Sequence, residues 1–510
     1  MEKGSFYITT PIYYVNDVPH IGHAYTTCAA DVLARYHRLL GKKVLFATGT
    51  DEHGQKIEKA ALEKGVTPQE LVDQVVERFL ELWKKMDISY DDFVRTTEGR
   101  HIRTVETFFS LLNKKGYIYK GDYEGWYCVP CETFWTEGQL SGELICPDCG
   151  RPLERVREET YFFALSRLRE KLLEYLEKHP SFVMPESRYN EVLSFVRSGL
   201  KDQSISRTGV KWGVPVPSDP KHTFYVWFDA LVNYLTVAGF GRDEETFQTF
   251  WPQVRHLVGK DILRFHAVLW PAMLLAAELP LPRMVFAHGW WTVEREKMSK
   301  SKGNVVDPNK IIECYGVDRF RYFLMREVTF GLDGDFSEKA LIERTNADLA
   351  DNFGNLVHRT SSMAWKYLDG RVKKPSLYQD EEWESLLAEI KGSVSYYFER
   401  FAFAQVLESI WKLVHFGNRY IDQKAPWRLS KKPEKKEELN SILYRLLDCA
   451  RILAMMIYPF CPQSCSKLWK ALGLGDFPGF DSWEEEVNWE NGPEVFNLEK
   501  PVPLFPRIES

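Results

Sequence analysis

A chain of 510 residues, 44% hydrophobic and 27% charged with no low-complexity tract, is an ordinary globular protein too long for one hydrophobic core, so roughly three domains are expected. No apolar run approaches the roughly 20 residues of a membrane span. The opening "MEKGSFYITTPIYY" lacks the build of a secretory signal, and a cytosolic protein is predicted. A net charge of −6 argues against a wholesale polyanion binder and leaves room for a local basic face.

The first segment reads strand, helix, strand. "FYITTPI" (6–12) is a short apolar run, 23–41 carries apolar residues along one helical face closed by Gly41, and "KKVLFATG" (42–49) is a second apolar strand. That is the crossover unit of a parallel, doubly wound sheet. Helices are expected at 55–64 and 68–86. From 116 to 225 the pattern breaks into glycines, aromatics, cysteines and short strands, as an insertion would. The alternation resumes at 222–237 and 255–288. Beyond 340 the pattern is helical (340–368, 380–400, 402–422 and 436–457), as in an antiparallel bundle, and the last 45 residues read as a short helix and a strap. The predicted class is α/β, a Rossmann-type domain carrying an insertion, followed by an all-α bundle.

"NDVPHIGHAY" (16–25) lies where the first strand ends and the first helix begins, the edge of an open sheet at which ligands bind. His20 and His23, three apart at a helix start, can face one site, and the small Gly22 lets a phosphorylated ligand approach the backbone. Capping or packing histidines are the plainer alternative. "REKMSKSKGN" (295–304) gathers Arg295, Lys297, Lys300 and Lys302 around Ser299, Ser301 and Gly303; alone it reads first as a solvated surface turn. No P-loop, no G-x-S-x-G elbow and no evident covalent nucleophile occur. The two motifs make joint sense if a nucleotide phosphate is attacked by positioning and electrostatics alone. The histidines then hold the triphosphate from one half of the sheet, and Lys297 and Lys300 close on the pyrophosphate from the other. "CVPC" (128–131) and "CPDC" (146–149) set Cys128, Cys131, Cys146 and Cys149 in a C-x2-C-x14-C-x2-C frame, which suits one closed structural zinc, against free thiols or a redox pair.

"PHIGH" (19–23) together with "KMSKS" (297–301) resembles the paired signatures of the class I aminoacyl-tRNA synthetases, and the whole chain looks like the methionyl-tRNA synthetase family. The resemblance implies a split Rossmann domain (1–115 and 226–325), a zinc-bearing connective insertion (116–225), a stem-contact linker (326–350), a helical anticodon-binding domain (351–465) and a C-terminal helix and strap (466–510). It implies activation of L-methionine by ATP, with Mg2+ brought by the nucleotide, and transfer to the 3' adenosine of elongator and initiator tRNA-Met.

By the same resemblance, ATP meets His20, Gly22, His23, Gly259, Asp261, Lys297, Met298, Ser299, Lys300 and Ser301, with Asp261 at the ribose. Methionine meets Ile12, Tyr14, Trp227, Ala230, Leu231, Tyr234, Ile262 and His266, with Asp51 for its ammonium; Leu231 stands where some members have proline. Read alone, each of these residues reads as core before it reads as pocket. Asn355, Arg359 and Trp427 match the family's anticodon readers, and the four cysteines match its one-knuckle form. Many bacterial members continue into a tRNA-binding, dimer-forming domain beyond "PLFPRIE" (503–509). A monomer is therefore expected here, with a separate tRNA-binding subunit in trans as one option. A cysteine, leucine, isoleucine or valine enzyme, or a non-catalytic tRNA-binding paralogue, are the rival readings.

Overall fold

The computed structural model describes residues 3–15, 18–129, 133–135, 140, 144–147, 150–293, 305–376 and 380–509, and the backbone of 296–297. At its centre lies a six-stranded parallel sheet formed by β1 (Ser5–Tyr14), β2 (Lys43–Asp51), β3 (Asp92–Arg95), β4 (Val183–Met184), β5 (Val254–Gly259) and β6 (Met284–His288). The strand order is β3-β2-β1-β5-β6-β4, with every neighbouring pair parallel. Phe6, Tyr7 and Ile8 are buried in succession, as parallel strands covered on both faces require. The order reverses between β1 and β5, so the crevice of a doubly wound sheet opens at the carboxyl ends of those two strands.

α1 (Ile21–Leu39) links β1 to β2. Sequence periodicity assigns it one apolar face, whereas the structure buries it nearly all round. The reason is a second layer. Tyr36 stacks on Phe398 at 3.8 Å and meets Trp483 edge-on at 5.2 Å, so the C-terminal part of the chain covers the face a two-layer domain would leave wet. The polar residues on that face are correspondingly paired. Asp31, fully buried, accepts from Arg35 (2.8 Å) and Arg321 (2.6 Å) and from the amide and hydroxyl of Ser89 (2.7 and 2.6 Å). Arg321 also donates to the carbonyls of Met86, Pro459 and Phe460.

The segment after the helix Gly99–Lys114 builds an antiparallel sheet from Ile118–Cys128, Thr133–Trp135, Glu154–Phe163 and Gln203–Ser204. It also supplies β4, the edge of the central sheet, so this part of the chain is stitched into the Rossmann core. The C-terminal helices run Glu338–Thr345, Asn346–Gly354 (a π-helical stretch), Asn355–Leu368, Glu381–Phe398, Phe403–Lys424, Lys436–Ile457 and Pro462–Ala471, close to the expected spans. The strap returns as Val495–Asn497, pairing antiparallel with Arg371–Lys373. Among the described residues no helix is long and apolar enough to cross a membrane.

Candidate active site

The start of α1 is built from its own histidines. His20 is the N-cap: its Nδ1 accepts from the amide of Gly22 at 3.1 Å, and the amide of His20 donates to Nδ1 of His23 at 3.1 Å. This is a capping box made of imidazoles, the two rings 3.9 Å apart. Because both Nδ1 atoms accept, a neutral ring carries its proton on Nε2. Burial pushes His20 down to about 4, with Asp261 pulling weakly the other way. Burial, then His20, holds His23 well below the usual histidine range. At neutral pH both rings are therefore uncharged Nε2–H donors. Gly22 has a reason of its own. A Cβ there would lie 2.9 Å from Cε1 of His20, so its smallness also makes room for the imidazole of the cap.

The second half of the sheet reaches the same point. Gly259 ends β5, and a Cβ on it would lie 2.6 Å from Oδ1 of Asp261, which accepts from the indole of Trp290 at 3.1 Å. After β6 the strand Trp291–Val293 pairs with Glu296–Lys297. The chain returns at Val306, whose carbonyl accepts from the amide of Ile21, the first residue of α1, at 3.2 Å. The stretch that holds the lysines is thus tethered at its far end to the helix carrying His20 and His23. Met298, Ser299, Lys300 and Ser301 lie outside the described residues, as does the side chain of Lys297.

Beside this edge the expected amino-acid residues gather. Tyr14, at the end of β1, lies in register with Asp51, at the end of β2. Ile12 packs on the core that contains Leu231 and Tyr234, while Tyr14 and Trp227 pack on the cluster of Tyr127, Tyr225 and Val226. The helices Val226–Leu231 and Asn233–Ala238 carry Trp227, Ala230, Leu231 and Tyr234. Trp227 lies parallel to Phe265 at 4.0 Å and edge-on to His266 at 6.0 Å. His266 sits in a π-helical turn, Phe265–Leu269, a deformation frequent at functional sites. Its Nδ1–H donates to the carbonyl of Ile262 (3.0 Å), so its Nε2 accepts from the hydroxyl of Tyr234 (2.7 Å). Burial lowers His266 to about 4 and raises Tyr234, so this wall is uncharged and rich in aromatic edges, which suit a thioether.

Two of the four cysteines are described. Cys128 ends a strand, and Cys146 lies in a tight turn whose amide donates to Arg151 (2.8 Å) and whose carbonyl accepts from Gly150 (2.8 Å). Both are buried, in one small cluster with Trp135 and Leu153. Two buried cysteines brought into one cluster by a strand end and a turn fit a zinc knuckle. Cys131 and Cys149 lie outside the described residues.

On the bundle, Trp427 is 37% exposed on the short helix Pro426–Leu429, which follows Ala425 at φ +44°. The guanidinium of Arg359 lies 6.0 Å from the Trp427 ring and pairs with Asp422 at 2.7 Å. Asn355, one turn before Arg359 on the same helix, faces a cavity between that helix and the strap residues Pro503–Arg507.

Sequence reasoning missed the polar core beside these residues. Asp229 accepts from His53 and His101, and Glu52, fully buried, accepts from Thr50, Arg95 and Thr97. The one usable signal was the lone acid inside the apolar run "YVWFDALVNY" (225–234).

A family model described as tRNA synthetases class I (M) matches residues 6–156 and 151–361, and one described as the anticodon-binding domain of tRNA ligase matches 380–502. The methionine–tRNA ligase of Caldanaerobacter subterraneus is 51% identical over 99% of this chain and 79% of its own length; that of Thermotoga maritima is 45% identical over 99% and 80%. Among solved structures, Mycobacterium tuberculosis methionyl-tRNA synthetase in complex with methionyl-adenylate is similar with a TM-score of 0.93 at 41% identity, covering 99% of this chain and 100% of that one. The free form of that synthetase gives 0.86 at 38% identity, covering 99% of each. The chain belongs to the class I tRNA synthetases of the methionine type, the methionine–tRNA ligases.

Proposed function

We propose that this methionine–tRNA ligase forms methionyl-adenylate in the crevice at the carboxyl ends of β1 and β5. The observation that carries the reading is the tether between Ile21 and Val306, which ties the lysine-bearing stretch to the helix start of His20 and His23. A carboxylate oxygen of methionine attacks the α-phosphorus of ATP, and the bond to pyrophosphate breaks. The Nε2–H groups of His20 and His23 donate to phosphate oxygens as charge builds. Being neutral and already oriented by their caps, they need no reorganisation. Lys297 and Lys300, on a stretch with Met298, Ser299 and Ser301, follow the departing pyrophosphate. Asp261, with Gly259 beneath it, takes the ribose. Asp51 takes the ammonium of methionine, and Ile12, Tyr14, Trp227, Ala230, Leu231, Tyr234, Ile262 and His266 enclose its side chain. Mg2+ arriving with ATP supplies charge neutralisation at the phosphates. The 3' adenosine hydroxyl of tRNA-Met then attacks the adenylate carbonyl, releasing AMP. We place this work in the cytoplasm, where tRNA is charged.

Cys128, Cys131, Cys146 and Cys149 hold one zinc, which stiffens the insertion and takes no part in the reaction. Metal analysis of the purified chain is expected to give one zinc per molecule; a metal-free, fully folded chain would refute the site. The proposed domain division has a stem-contact segment at 326–350 and an insertion at 116–225 whose Val183 and Met184 join the sheet of the catalytic domain.

Asn355, Arg359 and Trp427 read the anticodon, and the partial exposure of Trp427 beside Arg359 supports base stacking there. Trp427→Ala is expected to weaken tRNA-Met binding by about 1–3 kcal/mol, the worth of one stacked base. An unchanged Kd for tRNA would remove Trp427 from the interface.

A further inference from the structure

Asp229 is an acid where the helix Val226–Leu231 is otherwise apolar, and its side chain is 1% exposed. An ionised carboxylate only accepts, so both of its hydrogen-bond partners are donors. Nδ1–H of His53 donates to Oδ2 at 2.6 Å, and Nε2–H of His101 donates to Oδ1 at 2.8 Å. Burial pushes the Asp229 carboxyl up, but the two histidines outweigh it and hold the group well below the usual carboxylate range.

The two partners come from different places. His101 lies on the helix Gly99–Lys114, whereas His53 lies two residues beyond Asp51. That short stretch is fixed at each residue. Glu52 is locked by Arg95 (2.7 Å) and Thr97 (2.5 Å), and its amide donates to Thr96 at 2.9 Å. The carbonyl of His53 accepts from the hydroxyl of Tyr14 at 2.6 Å, and the amide of Gly54 donates to the carbonyl of Trp212 at 3.0 Å. The pair His53–Asp229 then runs from this braced stretch directly to the helix that carries Trp227, Ala230 and Leu231.

We propose that Asp229 is a positioning residue of the amino-acid subsite: through His53 it sets the separation between the Asp51 carboxylate and the wall of Trp227, Ala230 and Leu231. The inference rests on the reading of those residues as the methionine subsite. A substrate held at its ammonium by one element and at its side chain by another is sensitive to their spacing, because small misplacements are felt in a close-packed site.

The test is methionine-dependent ATP–pyrophosphate exchange on the full chain, with KM for methionine and for ATP measured separately. His53→Ala is expected to raise KM for methionine about tenfold, the loss of one charged hydrogen bond, while KM for ATP moves by about twofold or less. His53→Asn, whose amide can place an N–H where Nδ1 was, is expected to recover most of the loss. Equal rises for methionine and ATP, or an Asn variant no better than Ala, would show a merely structural role and overturn the proposal. Asp229→Asn is expected to show the same methionine-selective rise. If it does not fold, the two His53 variants decide. Asp51→Asn separates the two readings. If it leaves KM for methionine unchanged, the subsite itself is wrong and the proposal falls with it. If it raises KM while His53→Ala does not, the positioning role alone is lost.

Discussion

His20→Asn is expected to cut methionine-dependent ATP–pyrophosphate exchange by about 10²–10³-fold, the usual cost of removing one preorganised donor from a developing charge, while the protein keeps its fold. The substitution separates two roles that one ring plays. Asparagine can still accept from the amide of Gly22, as Nδ1 of His20 does, so the cap of α1 survives. What disappears is the Nε2–H proposed to donate to the phosphate. His20→Ala removes both roles and should cost about 1 kcal/mol of stability in addition, the usual worth of an N-cap. Lys300→Ala is expected to slow exchange in the same way from the other half of the sheet. Near-normal exchange in His20→Asn would leave the ring a cap and nothing more. The cap has a pH signature as well. His20 titrates at about 4 in the native protein against an ordinary value of 6.5, so the unfolded chain binds the extra proton first. The stability that His20 contributes is thus present above 6.5 and is lost as pH falls from there towards 4. Protonated Nδ1 can no longer accept from Gly22.

The second large effect is structural. Asp31→Asn is expected to destabilise the protein by about 3–5 kcal/mol, the range for breaking a buried ion pair by removing one partner. Asp31, Arg35 and Arg321 form a buried triad, and Arg321 additionally clamps the carbonyls of Met86, Pro459 and Phe460. Neutralising Asp31 leaves two guanidinium groups without their shared anion, where α1 meets the C-terminal helices. Burial alone would raise the Asp31 carboxyl, but Arg35 and Arg321 outweigh it and hold it far below its ordinary value. Its contribution is therefore complete above about pH 4, the unfolded value, and is lost as acid drives the pH down towards the depressed native value. Denaturant unfolding checks both statements. A loss under about 1 kcal/mol would mean that the carbonyl contacts of Arg321 carry the junction by themselves.

Much of the architecture could be read before any coordinates because it depends on local pattern. Strand, helix and strand across 6–49 carry their own periodicities, and the bundle helices start and stop where their apolar spacing does. The paired motifs were legible because their residue types are rare in combination. What periodicity could not show are contacts between residues far apart in the chain. α1 reads as amphipathic, yet Tyr36 finds Phe398 and Asp31 finds Arg321, so its outer face is interior. Val183 and Met184 carry no signal as a two-residue strand; only the neighbouring β6 makes them the sheet edge. Gly22 reads as room for a ligand; that it also leaves room for the ring of His20, a contact two residues away, depends on rotamer rather than composition. The Asp229 network escaped for the opposite reason: a single acid and two histidines, at positions 229, 53 and 101, share no spacing that a sequence can display.

Adenylate formation is one chemical event, and exchange between ATP and pyrophosphate reports it without tRNA. Measured on the intact chain with methionine, leucine, cysteine and homocysteine in turn, it is expected to be strongest with methionine. Exchange led by another amino acid would give the crevice a different substrate. No exchange with any of them, while tRNA still binds, would contradict activation in this crevice altogether.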